Sequence, residues 1–113
     1  MNINDIKRKV PVVAGKQTAV IAGFSYSAST DQLSVDFIFE NFSRLETTYK
    51  YNKEKISALE IFLNNLGAQL NVAATVSNKD MLKACRADKT VINVEVKTLI
   101  NSYGKDYLVV NIL

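Results

Sequence analysis

The order of its segments constrains this chain more than any single residue does. Three runs with strand periodicity come first, a helical stretch follows, and two further strand-like runs close the sequence, all within 113 residues. Apolar side chains at every second position mark a half-buried strand, whereas spacings of three and four mark a helical stripe. A βββ-α-ββ order in a chain of single-domain length leaves few architectures open. Residues 1–113 are expected to form one domain, with residues 1–16 as an N-terminal arm. Asn4 or Asp5 is placed to cap a short helical turn through Lys9, and Pro11 then favours extended backbone.

The first strand is predicted over Thr18–Ser27, where Val20, Ala22, Phe24 and Tyr26 alternate with Ala19, Ile21, Gly23 and Ser25. Gly23 inside it signals a bulge or bend. The second, Leu33–Phe39, sets Leu33, Val35, Phe37 and Phe39 on one face. The third, Leu45–Tyr51, sets Leu45, Thr47, Tyr49 and Tyr51 opposite Glu46, Thr48 and Lys50. A helix is expected from about Asn52 to Gly67, with Ile56, Leu59, Leu63 and Leu66 as its stripe and Phe62 widening it. Ser77-Asn78-Lys79-Asp80 reads as the cap of a second short helix over Met81–Arg86. Strand four, Thr90–Ile100, places Ile92, Val94, Val96 and Ile100 on one face, and a glycine-containing hairpin over Asn101–Asp106 leads to strand five, Tyr107–Leu113.

This order predicts an all-β domain with a helical insertion, built as a five-stranded antiparallel barrel of the OB type, in which strand one must pair with strand four. The competing architecture is an antiparallel sheet with helices packed on one face.

The residue inventory narrows the chemistry. With no histidine in the chain, His-based acid–base catalysis, Ser-His-Asp and Cys-His pairs and the commonest zinc ligand are all excluded. The single cysteine, Cys85, permits no intrachain disulfide, reads as a small buried apolar residue and fits a reducing cytoplasm. Gly15-Lys16-Gln17-Thr18 resembles the end of a phosphate-binding loop but fails the motif, because Val10 stands where its first glycine belongs and Gln17 where Ser or Thr must follow the lysine. No apolar run reaches the roughly 20 residues that span a bilayer, and no export signal is expected, so the Asn41-Phe42-Ser43 sequon reads as a chance match. Neither a cofactor, a metal nor an enzymatic activity is expected.

What remains is a surface. Phe42, Arg44, Tyr49, Lys50, Tyr51, Lys53 and Lys55 fall close together on and around strand three. Aromatic rings stack on bases with little regard to sequence, while Lys and Arg follow phosphates. Packing alone also favours tyrosine in strands, and Leu45 on the face of Tyr49 and Tyr51 argues that this face points inward. The hairpin tip adds Tyr103, Lys105 and Tyr107, on the loop that flanks the groove of an OB barrel. Arg44, Tyr49, Lys50, Tyr51, Lys53, Tyr103, Lys105 and Tyr107 are therefore the expected nucleic-acid contacts. Lys7-Arg8-Lys9 and the helix-two set Lys79, Lys83, Arg86 and Lys89 read first as solvated surface. A net charge of +3 permits a polyanion partner without demanding one.

In length, element order, the Phe37-Ile38-Phe39-Glu40-Asn41-Phe42 run and the short terminal hairpin, residues 18–113 resemble the small single-stranded DNA-binding proteins of bacteriophages, particularly those of Gram-positive hosts. The resemblance implies an OB fold, sequence-tolerant binding of single-stranded DNA in phage replication or recombination, a homo-oligomer such as a dimer, and residence in the host cytoplasm. Many bacterial-type members end in an acidic tail that recruits replication or recombination proteins, and recruitment by that route is not expected of a sequence ending Val109-Val110-Asn111-Ile112-Leu113. The alternative is a non-catalytic protein-interaction module that uses a sheet edge or groove.

Overall fold

A computed structural model describes residues 10–113, so the expected N-terminal turn and the Lys7-Arg8-Lys9 cluster lie outside the described residues. Strands β1 (Gly15–Ser27), β2 (Gln32–Phe39) and β3 (Arg44–Lys50) precede helices α1 (Ala58–Gln69) and α2 (Asn78–Asp88), and strands β4 (Ile92–Ile100) and β5 (Asp106–Ile112) follow. All strand pairs are antiparallel and form one five-stranded sheet in the order β3-β2-β1-β4-β5. The β1–β4 pairing expected of the sequence is present, with Gly15 opposite Val96 and Ala19 opposite Ile92. The expected arm is shorter than residues 1–16 because this pairing takes up Gly15 and Lys16.

Strand β1 is the keystone of the sheet. Its first part pairs with β4 and its second with β2, and the register against β2 shifts between Ile21 and Gly23. That bulge moves Phe24 and Tyr26 onto the face of Ile21, opposite Val35 and Leu33. A Cβ on Gly23 would meet only the Asp36 carboxylate, at 3.5 Å. Glycine is therefore not sterically required there, and the inserted residue alone produces the shift.

The inward faces of Val35, Phe37, Ile21, Ile92, Val94, Val96 and Val110 close against Phe62 and Leu66 of α1 and Met81, Leu82 and Cys85 of α2. Burying each large side chain contributes about 1.5–3 kcal/mol. Phe62 meets Phe37 edge-on at 6.5 Å and stacks on Tyr49 at 4.2 Å.

Both helices depart from the expected limits, each for a capping reason. Helix α1 begins after Ser57, whose hydroxyl accepts from the Glu60 N–H at 3.2 Å. Asn52 instead forms a local turn to the Glu54 N–H at 2.9 Å, and Ile56, outside the helix, is exposed rather than part of the stripe. The stop is not Gly67. The helix runs on to Gln69, and Asn71 takes the left-handed conformation that ends it, with the Val72 N–H closing on the Gly67 carbonyl at 2.9 Å. Ser77 caps α2 as expected, and Lys89, also left-handed, closes it through Thr90 N–H to the Cys85 carbonyl at 3.1 Å. Among the described residues no helix is long and apolar enough to cross a membrane.

The sheet is not closed into a barrel by hydrogen-bonded pairing: β3 and β5 stand at its two ends. Side chains, rather than a ladder, link those ends. The Tyr49 hydroxyl donates to the Val110 carbonyl at 2.6 Å, and Asn65 of α1 reaches the Ile112 carbonyl at 3.5 Å. Gln69 donates to the Asn93 and Leu113 carbonyls at 2.9 and 2.8 Å and accepts from the Asn93 N–H at 2.6 Å. Tyr49 thus spans the seam while its ring lies on Phe62.

Replacing Tyr49 by Phe keeps the ring stack and deletes only the link to Val110. The expected loss is about 1–2 kcal/mol, one buried hydrogen bond with its acceptor left unpaired. Denaturant unfolding of the two proteins measures it, and an unchanged midpoint would show that the link does not hold the two edges.

Candidate functional site

The expected contact residues divide into two exposed groups, one exposed residue apart from both, Arg44, and one buried exception. The exception is Tyr49. It is 6% exposed, stacked on Phe62 and bonded to Val110, so it has no free face for a ligand. Burial pushes its phenol well above the ordinary value. The inward-facing reading of Leu45, Thr47 and Tyr49 holds, but it fails for Tyr51, because β3 ends at Lys50 and Tyr51 turns outward at 44% exposure.

The first group lies where β3 ends beside the β1–β2 turn. Lys50 pairs with Gln32, and the Tyr51 N–H donates to the Asp31 carbonyl at 3.0 Å. Lys53 is exposed in the following turn. Tyr26, not among the expected contacts, joins this group: it is exposed, and its hydroxyl is bonded to the Asp31 carboxylate. That bond, with partial desolvation and the Asp31 charge, raises the Tyr26 pKa. Tyr26 is exposed because it lies one residue from the end of β1, a boundary that alternation in the sequence does not mark.

The second group is the β4–β5 hairpin. The Asn101 side-chain oxygen accepts from the N–H groups of Tyr103 at 2.9 Å and Lys105 at 3.0 Å. The Gly104 N–H closes on the Asn101 carbonyl at 3.0 Å, and Gly104 takes φ +75°, which glycine tolerates without strain. This fixed turn presents Tyr103 at 87% exposure, with Lys105 beside it. On the outward face of the hairpin Tyr107 stands opposite Leu99, and Lys97 is the next residue along that face. Leu99 and Ile100 are exposed too. Ile100 was expected in the core, but β4 has by then passed the end of its pairing with β1 at Gly15–Val96, so no core lies beneath it.

Arg44 joins neither group through a direct contact. It starts β3, exposed, on a shallow recess of about 260 Å³ that Asp36 and Glu46 also line. Asp36 and Glu46 face each other across β2 and β3. The outward face of the sheet therefore carries Lys16, Arg44, Lys50 and Lys97 interspersed with Asp36, Glu40, Glu46 and Glu95, and Lys97 lies 3.6 Å from Glu95. A continuous basic groove along β3, as the sequence clustering implied, is not what this face offers. Cations free of facing acids concentrate at its extremities. The Lys79, Lys83, Arg86 and Lys89 set is exposed along α2, and Lys79 lines one recess together with Tyr26 of the first group.

Cys85 is buried and its thiol pKa is raised, by desolvation first and the Asp88 charge second. This suits the packing role and opposes a nucleophilic one. The chemistry these surfaces offer is contact: flat rings, cations and backbone turns held in place.

The raised phenol of Tyr49 fixes a pH dependence. A tyrosine unfolds to an ordinary pKa near 10. Its neutral form is favoured in the fold, so that stabilisation is complete below about pH 10 and is lost as the pH climbs beyond it. Unfolding free energy should fall with rising pH in that window, and Tyr49→Phe should flatten the fall, leaving the parts due to Tyr26 and Cys85. Equal slopes in both proteins would contradict the buried placement.

No protein-family model matches the sequence, and no curated protein matches it, so any assignment of function starts from the two exposed groups described above.

Proposed function

We propose that the protein is a sequence-tolerant single-stranded DNA-binding module of the OB type, working without turnover by covering single strands against nucleases and base pairing. The observation that carries this reading is the β4–β5 hairpin. Tyr103 is held in solvent by a turn whose geometry Asn101 and Gly104 fix, with Lys105, Tyr107 and Lys97 along the same arm. Folding alone gives no reason to fix an aromatic ring in water. A ring held in advance loses little entropy on binding, and each stacked base contributes about 1–3 kcal/mol.

The strand order supports the OB assignment. In an OB barrel the ends β3 and β5 come together, and here Tyr49 already joins them through Val110. The hairpin then corresponds to the loop beside the binding groove, and the Tyr26, Lys50, Tyr51 and Lys53 group to its opposite wall. The phage proteins that the sequence resembles supply the expectation of DNA, of replication or recombination, and of the host cytoplasm.

A second reading has its own observation. Strand β5 carries no charge from Tyr107 to Leu113, whereas β3, at the other end of the sheet, displays Arg44, Glu46 and Lys50. Charged edges resist pairing with another chain and uncharged ones invite it. With Leu99 and Ile100 exposed beside it, this edge also suits a protein partner or a second copy.

Titration with oligo-dT, read by intrinsic tyrosine fluorescence, separates the two readings. Nucleic-acid binding predicts quenching, affinity that falls steeply with salt, and a loss of roughly 5- to 150-fold for Tyr103→Ala. Lys105→Ala should lower the salt slope by about 0.7, the value for one phosphate contact on a single strand. Absent quenching, or affinity indifferent to salt, contradicts the proposal and leaves the interaction reading.

A further inference from the structure

The turn between β2 and β3 contains a residue that folding does not explain. Phe42 has φ +66°, in the left-handed region, and is 81% exposed. A bulky side chain rarely adopts that backbone conformation, which glycine and asparagine tolerate far better. An aromatic ring left in water is a second, independent penalty. Either penalty would be removed by a small polar residue at the same position.

The turn is nevertheless built with care. The Phe42 N–H donates to the Phe39 carbonyl at 2.8 Å and the Phe39 N–H to the Ser43 carbonyl at 2.9 Å. The Asn41 side-chain oxygen accepts from the Ser43 N–H at 3.0 Å and from the Ser43 hydroxyl, and Ser43 is only 1% exposed. The Asn41 amide donates to the Pro11 carbonyl at 3.3 Å, tying the segment before β1 to this turn. The backbone is thus over-determined while the side chain stands largely in solvent. Strain held in place by its surroundings gathers where a ligand is met.

The neighbours indicate which ligand. Phe42 is flanked by Asn41, Ser43 and the exposed Arg44. The nearby Glu40 carboxylate is turned back onto the Thr18 hydroxyl at 3.1 Å. Anchors for protein partners sit centrally in a patch that other contacts seal from water. Here a lone ring stands among polar groups with a cation two residues away, which suits a flat base on a charged backbone.

We propose that Phe42 is a nucleobase-stacking residue, a third contact on single-stranded nucleic acid beside the β4–β5 hairpin and the group at the end of β3, with Arg44 meeting a phosphate beside the stacked base. This rests on the nucleic-acid reading above. Its location at the opposite end of β2 from the β1–β2 turn gives the strand a contact that the expected set did not contain.

Phe42→Asn tests it, because the two roles predict opposite signs. The variant should unfold at an equal or higher denaturant midpoint, as the left-handed strain is relieved, yet bind oligo-dT roughly 5- to 150-fold more weakly. Phe42→Trp should retain binding, and since the chain has no other tryptophan, its emission should be quenched by oligo-dT. Wild-type protein that binds oligo-dT alongside a Phe42→Asn variant of equal affinity overturns this proposal alone. Wild-type protein that does not bind overturns it together with the function on which it rests. Unchanged oligo-dT affinity with lost self-association, measured by sedimentation, would reassign the ring to a protein contact and equally overturn it.

Discussion

The hydrogen bond from the Tyr49 hydroxyl to the Val110 carbonyl, seated on the Phe62 ring, ties together what the backbone pairing leaves apart. Five strands in the order found here have two ends, and nothing in the ladder joins them. The phenol spans the gap with a buried donor and acceptor, where an unpaired carbonyl would be costly. Gln69 of α1 anchors the helix where β4 begins and β5 has just ended, bonding Asn93 on both its groups and Leu113. The helix insertion is therefore part of the closure as well as the lid of the core. Because the sheet is held at β5, the hairpin beyond it starts from a fixed base.

Much of the fold was legible in the sequence because two-residue alternation is a direct consequence of one buried sheet face. Leu33, Val35, Phe37 and Phe39 read as one face and are one face. The bulge announced by Gly23 is there, although an inserted residue accounts for it without needing glycine. Misreadings occurred where a local side-chain bond, invisible to periodicity, ends an element. Ser57 starts α1 six residues later than its apolar spacing implied, and Asn71 rather than Gly67 ends it. Barrel closure was not legible either, since it depends on contacts between segments far apart in the chain, with Tyr49 and Val110 separated by 61 positions.

The candidate surface was only partly readable, for the same reason. Alternation put Tyr49 and Tyr51 on one face, and whether a ring at the end of a strand turns in or out depends on where the strand stops. Clustering in sequence also overstated the basic character of β3, because Asp36 sits on the neighbouring strand directly opposite Glu46. The hairpin was better marked. Asn101 and Gly104 are turn residues by their own chemistry, and a tyrosine between them has nothing to pack against. The surface that results concentrates rings and cations at the extremities of the sheet, around a middle of mixed sign, an arrangement suited to a flexible polymer touched at separated points.

Amide chemical-shift mapping of isotope-labelled protein with oligo-dT tests that account most directly, since it reports every backbone position at once. Shifts should gather at Asn101–Tyr107, Lys50–Lys53 and the turn around Phe42, and leave α2 unmoved beyond the first turn that lies beside Tyr26. Shifts centred on α2 and its lysines, or none at saturating oligo-dT, would contradict it.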